Sequence, residues 1–196
     1  GDTLAALHGV IGILAAVHER GASGRGQVVD VALYEAVFNC MESLLPEFSA
    51  FGAVRQPAGS ALPGIVPSNA YLCGDGAHVV IAGNGDSIFK RLMAAAGREE
   101  VGLDTRFGSN DLRAQHAEYL DGIIGAWTLQ LPLQAVLQRL EHFHVPAGRI
   151  YTIADIANDA HYQARGMIEN ITLADGSRLS VPGVVPKLSR TPGGLR

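Results

Sequence analysis

The chain has 196 residues, 47% hydrophobic and 17% charged, enough apolar surface to offset the entropy of ordering a globular core, which excludes a disordered polymer. Its formal net charge is −4 and it has no run of Lys or Arg, which argues against a nucleic-acid partner, because phosphate-backbone binding needs a clustered basic face. Cys40 and Cys73 show neither CxxC nor Cys/His ligand spacing, so they read as core thiols of a cytoplasmic protein, with no disulfide framework and no zinc site.

After Gly1 and Asp2 the pattern is helical at once: Leu4, Leu7, Ile11 and Leu14 recur at three- and four-residue steps over residues 3–20. Beside them Ala5, Gly9, Gly12 and Ala16 form a small-residue face that lets another backbone come close, so this helix is expected to be buried on most sides. The apolar run 3–17 is too short for a membrane span and is interrupted by His8, and the Gly-Asp opening lacks the basic region and cleavage site of a signal peptide. No membrane partner is expected. With no initiator Met and a helix starting immediately, the chain reads as cut from something longer. The segment GASGRG at 21–26 should end the helix, with a strand over 27–31. A second helix is predicted over 32–45, stopping before Pro46 because the residue preceding a proline disfavours helical geometry. Residues 50–67, with Gly52, Pro57, Gly59, Pro63, Gly64 and Pro67, have no steady period and read as linker and loop.

Beyond the linker, residues 69–73 and 78–82 alternate around Asp75-Gly76, the signal for a β-hairpin with a type I′ turn. Helices are predicted over 87–96, 112–127 and 132–143, with Pro132 suited to a first turn. A short strand at 148–151 leads to helices at 153–157 and 161–165. A last hairpin pairs 169–173 with 178–181 around Asp175-Gly176, and an extended tail follows. There is no internal repeat, and the mixture is α+β.

Asp2 precedes an apolar helix, where a carboxylate can accept backbone N–H bonds and interact favourably with the helix dipole, so a plain N-cap is one reading. The other is a carboxylate nucleophile in a water-excluding site. Of the seven histidines none stands in an HExxH or Cys/His set, and no metal site is expected. His142 and His144 read as end-of-helix residues, and His8 as a polar packing residue in preference to a general base. Gly-Asn-Gly at 83–85 could cradle a phosphate before a helix, but it lacks GxGxxG spacing and a Walker lysine, and Asp86-Ser87 reads as a simple helix start. In SALPGIVP at 60–67, Gly64 between two prolines can present backbone N–H groups, or the segment is a plain linker.

The stretches GDTLAALHGVIGILAAVHERGASGRGQVVDVALYEAV, LPGIVPSNAYLCGDGAHVVIAGNGDSIFKRLM, VPAGRIYTIADIANDAHYQARGMI and VPGVVPKL together resemble the family III CoA-transferases, the group with formyl-CoA and carnitine CoA-transferases. The likeness covers nearly the whole chain in order, and its most specific part is Gly1-Asp2, the small-residue helix and the Gly24-Arg25-Gly26-Gln27 turn. The resemblance implies that Asp2 is the catalytic aspartate, attacking an acyl-CoA thioester to give a mixed anhydride and then an aspartyl-CoA thioester. It implies coenzyme A as substrate with no other cofactor, and an acyl-CoA and a carboxylic acid as partners. Gly64, Ile65 and Val66 fall where the family has a mobile substrate-covering loop, although this sequence has one glycine there instead of a glycine-rich run. The implied fold is a helix–strand–helix segment of a Rossmann-like large domain over 1–50, a linker and active-site loop over 51–66, a small α+β domain over 67–160 and a return segment over 161–196. Full-length members form interlocked homodimers. Most of the nucleotide-binding half would lie outside this chain, which by itself is expected to bind CoA poorly.

Two other functions compete. The related α-methylacyl-CoA racemases place an aspartate at the same position as an acid/base paired with a histidine, which here would precede Gly1. The Thr3-Leu4-Ala5-Ala6 continuation lacks the racemases' run of glycines, which favours the transferase. The third reading is a non-catalytic truncated fragment that acts through association alone.

Overall fold

In the computed structural model, which describes residues 1–194, helix α1 spans Asp2–Ser23 and ends at Gly24, whose φ of 71° is left-handed and whose N–H bonds the Arg20 carbonyl. The helix runs through Gly21 because an interior glycine costs only about 1 kcal/mol, whereas the left-handed stop falls at Gly24. No residue of α1 is buried, and Ile11 and Leu14 are 64% and 63% exposed, so the expected burial on most sides does not occur within this chain. The strand predicted over 27–31 does not form either. A strand exists through a partner's hydrogen bonds, the described sheets contain none for this segment, and Val28 stands 91% exposed.

The helix expected over 32–45 is two helices, α2 (Leu33–Asn39) and α3 (Leu44–Phe51), parted by a turn in which Glu42 takes a φ of 51°. Pro46 lies inside α3 and does not end a helix: it sits in the first turn, whose N–H groups have no intrahelical acceptor to lose. Cys40 closes α2 and is exposed, so it is not a core thiol, while Cys73 is buried as expected. Residues Gly1–Pro57 form one structural unit, in which Ala36 is the buried hydrophobic among the described residues.

The second unit begins at Ala58 and carries a three-stranded antiparallel sheet. Strand β1 (Ser68–Leu72) pairs with β2 (His78–Ala82) in the register Ser68 to Ala82 through Leu72 to His78, and β3 (Ala147–Arg149) pairs along the other side of β2. β2 alternates as a half-buried strand must, with Val79 and Ile81 inward and His78, Val80 and Ala82 outward. Between β2 and β3 come α4 (Asp86–Ala95), α5 (Glu99–Leu103), a 3-10 turn (Thr105–Phe107), α6 (Asn110–Ala114), α7 (Ala117–Thr128) and α8 (Leu133–His142). Phe89, Leu92 and Met93 of α4, Leu120 and Ile124 of α7, and Val136 and Leu140 of α8 close over the inner face of the sheet. Each such large side chain contributes about 1.5–3 kcal/mol on burial. Helices α9 (Ile153–Asn158) and α10 (Ala160–Ala164) precede the separate hairpin of β4 (Ile168–Thr172) and β5 (Arg178–Pro182).

Several local expectations are corrected. The helix predicted over 112–127 breaks between α6 and α7, α5 and the 3-10 turn were not foreseen, and Pro132 is the extended residue before α8. Neither hairpin uses a type I′ turn, which needs two consecutive positive φ angles: Gly76 and Gly176 have them, at 82° each, and Asp75 and Asp175 do not. Instead Gly76 N–H bonds the Cys73 carbonyl at 3.0 Å and Cys73 N–H bonds the Ala77 carbonyl at 2.8 Å. Leu173, Gly176 and Ser177 repeat the pattern. The aspartates are held in this form because their carboxylates accept the N–H two residues on, Ala77 at 3.2 Å and Ser177 at 2.9 Å. The fold class is α+β, as the pattern predicted.

Candidate functional site

Asp2 is the first residue of α1 and not its cap. The cap position belongs to Gly1, whose carbonyl accepts the first helical bond from Ala5 N–H at 2.9 Å. The Asp2 carboxylate is exposed and has no hydrogen-bond or ion-pair partner among the described residues. The N–H groups of the first turn lie ahead of that first bond, so the Asp2 carboxylate, without a partner among the described residues, stands in the first turn at the positive end of a 22-residue helix.

His8, two turns along, is committed elsewhere. Its Nδ1 lies 2.8 Å from the Leu4 carbonyl and its Nε2 lies 3.2 Å from Asn39 Nδ2. Because a carbonyl only accepts, Nδ1 carries the proton and Nε2 accepts from the Asn39 amide. Both nitrogens of this neutral tautomer are occupied, which fits a packing residue joining α1 to α2. A groove of about 690 Å³ in the same unit is lined by Ile11, Gly12, Val29 and Glu35 among others. His8 lines it and Asp2 does not.

In the second unit the loop with Gly64, Ile65 and Val66 is held by polar contacts. Gly64 takes a φ of 78°, a left-handed conformation that side chains disfavour. Asn110, opening α6, donates from Nδ2 to the Gly64 carbonyl at 2.7 Å and accepts Val66 N–H on Oδ1 at 3.0 Å. The Val66 carbonyl in turn accepts Arg113 Nε at 2.9 Å. Arg113 is fully buried, stacks 4.9 Å from the Phe89 ring centre, and spends its other donors on the Phe107 and Asn84 carbonyls and the Asp86 carboxylate. The three loop residues are therefore brought together with two helix side chains that the sequence reading did not single out.

Next to the loop, Asp121 accepts the Tyr71 hydroxyl at 2.6 Å and Asn69 Nδ2 at 3.1 Å, while Ser60 Oγ donates to Asn69 Oδ1 at 2.6 Å. Burial, and then the Asp121 carboxylate, push the Tyr71 phenol far above its ordinary range, so it stays a hydrogen-bond donor. The Gly-Asn-Gly turn is structural: Gly83 N–H bonds the Pro67 carbonyl at 2.8 Å, a Cβ there would meet Leu92, and Asn84 is bound by Arg113. A sequence signal for Arg113 exists, because on the helix predicted over 112–127 the positions 113, 117, 120 and 124 share one stripe whose other members are Ala, Leu and Ile. Asn110 offered none beyond a position ahead of a predicted helix.

The sequence profile of CoA-transferase family III matches residues 1–196. The chain belongs to this family. Among family III relatives, succinyl-CoA–D-citramalate CoA-transferase of Chloroflexus aurantiacus is 42% identical over 195 residues, which are 100% of this chain and 48% of that protein. The beta subunit of succinyl-CoA–L-malate CoA-transferase from the same organism is 37% identical and is matched over 100% of this chain and 49% of its own length. In three dimensions a CAIB/BAIF family protein of Brucella suis superposes with a TM-score of 0.74 at 28% identity, covering 96% of this chain and 48% of that one. The family III chain described here thus spans about half the length of the curated relatives it matches. No helix among the described residues is long and apolar enough to cross a membrane.

Proposed function

We propose that the protein moves coenzyme A from an acyl-CoA thioester to a free carboxylic acid, with Asp2 as the nucleophile. The observation that carries this reading is the Asp2 carboxylate, without a partner among the described residues at the positive end of α1, in a chain of CoA-transferase family III. An oxygen of Asp2 attacks the thioester carbonyl carbon, the C–S bond breaks, and the CoA thiolate leaves a mixed anhydride. The thiolate then attacks the aspartyl carbonyl and expels the donor acid as its carboxylate, giving an aspartyl-CoA thioester. The acceptor carboxylate repeats the sequence in reverse: it displaces the thiolate to form a new anhydride, and the thiolate takes its acyl group and restores Asp2. The dipole of α1 favours the negative charge that returns to Asp2 when the full cycle closes.

Gly64, Ile65 and Val66 serve in this reading as the substrate-covering segment that keeps water from the anhydride. The relatives named for succinyl-CoA make a short dicarboxylic acyl donor the natural first trial. The wider proposal keeps 1–50 as part of a CoA-binding domain, 51–66 as the connecting loop, 67–160 as a small domain and 161–196 as a return segment. The protein is then a cytoplasmic, interlocked homodimer whose substrates are an acyl-CoA and a carboxylic acid, with no further cofactor.

The test is replacement of Asp2 by Ala and by Asn in the native protein, assayed with succinyl-CoA and a set of carboxylic acid acceptors. Turnover should fall by at least about a thousandfold in both, and labelled CoA should be trapped on Asp2 of the unaltered protein. Retention of turnover by Asp2→Ala would sink the mechanism. Deuterium exchange at the α-carbon of an acyl-CoA with no acceptor acid would instead identify proton transfer of the racemase type.

A further inference from the structure

One side chain bonds the segment Gly64, Ile65 and Val66 at two points. The segment's packing is uneven: Val66 is buried in the core, Leu62 and Ile65 are 54% and 41% exposed, and a cavity of about 220 Å³ lies between the loop and Ala114, Ala117 and Asp121. Its ends are secured differently. The exit is fixed to the core through the fully buried Arg113 on the Val66 carbonyl, whereas the entrance is held by the exposed bond from Ser60 to Asn69. Between them stands the two-point clamp of Asn110, which occupies the Gly64 carbonyl and the Val66 N–H with the two polar atoms of one amide. The pairing also determines which way that amide points, since a flipped side chain would set donor against donor and acceptor against acceptor.

We propose that Asn110 is a positioning residue for the Gly64–Val66 segment, holding its backbone in the one shape in which the segment can cover a bound acyl-CoA. The substrate-covering role rests on the proposed function; the clamp itself rests on geometry. Asn110 touches no substrate and acts through the backbone it holds.

The measurement is hydrogen–deuterium exchange resolved to single amides, combined with the partition of acyl-CoA between transfer and hydrolysis, in the native protein and in Asn110→Ala and Asn110→Asp. In Asn110→Ala the Val66 amide should exchange at least about tenfold faster, with Val79 and Ile81 unchanged, and the hydrolysed share of acyl-CoA should rise by at least about threefold. Asn110→Asp keeps an acceptor for Val66 N–H and loses the donor to Gly64, so its Val66 exchange should fall between the two. Unchanged Val66 exchange in Asn110→Ala overturns the proposal. So does an equal rise at Val79 and Ile81, which would make Asn110 a support of the fold, and so does a local rise that leaves the partition unaltered. If the unaltered protein transfers no CoA, the proposed function fails by itself, and the exchange data still decide whether Asn110 holds the loop.

Discussion

The two units of this chain are built from similarly apolar sequence and end in opposite conditions. The unit from Ala58 onward closes a core of its own: Val79 and Ile81 of the sheet meet Leu92, Leu120, Ile124 and Leu140 of three helices, each at 0% exposure. The unit of Gly1–Pro57 leaves Leu7, Ile11, Leu14 and Phe48 at least half exposed. Periodicity made a helix in both cases. It states which face needs cover, while the cover itself comes from other segments, and in the first unit the described residues do not supply it.

That contrast can be broken at its strongest point first. Arg113→Ala should destabilise the second unit by about 3–5 kcal/mol in urea unfolding, because it strands the buried carbonyls of Val66 and Phe107, removes the bond to Asn84 and opens a cavity. Leu92→Ala should cost about 2–5 kcal/mol by the same measurement, whereas Leu14→Ala in the 196-residue chain should stay within about 0.5 kcal/mol. A cost at Leu14 as large as that at Leu92 would mean the α1 face is covered in solution and would erase the contrast.

The smallest effect belongs to the ion pair of the first unit. A hydrogen bond from Arg55, helped by Ser43, holds the Glu47 carboxyl down to about 2 from an ordinary 4.5. A depressed folded-state value means the pair's contribution is complete above pH 4.5 and is lost as the pH falls toward 2. Both side chains are about one-third exposed, so solvent screening keeps that contribution small. The difference in unfolding midpoint between wild type and Glu47→Gln should therefore be largest near neutral pH and shrink below 4.5. A difference that stays constant from pH 7 to pH 3 would show that the pair adds nothing.

How far the sequence could be read followed the range of the forces involved. Alternation around Asp75 and Asp175 located both hairpins, but whether a turn residue takes a positive φ depends on competing bonds such as Asp75 to Ala77 N–H, so the turn type was misread. Pro46 lies inside α3 against the sequence expectation because the prohibition on proline applies to helix interiors and lapses in a first turn. The sequence leaves Gly64 open to two readings, a residue presenting backbone N–H groups or part of a plain linker, and the side-chain bond it makes is through its carbonyl. Its clamp was not legible, because Asn110 is 46 residues away along the chain.

What the sequence determined by itself were the local and short-range features: the helical run after Asp2, the irregular stretch over 52–67, the α+β pattern and, through motifs in order, the CoA-transferase likeness. The tertiary structure decided which apolar faces are covered, that the Asp2 carboxylate at the start of α1 has no partner among the described residues, and that Asn110 and Arg113 converge on one loop. Those outcomes depend on groups far apart in the chain meeting in space, and a pattern of neighbours carries no record of such meetings.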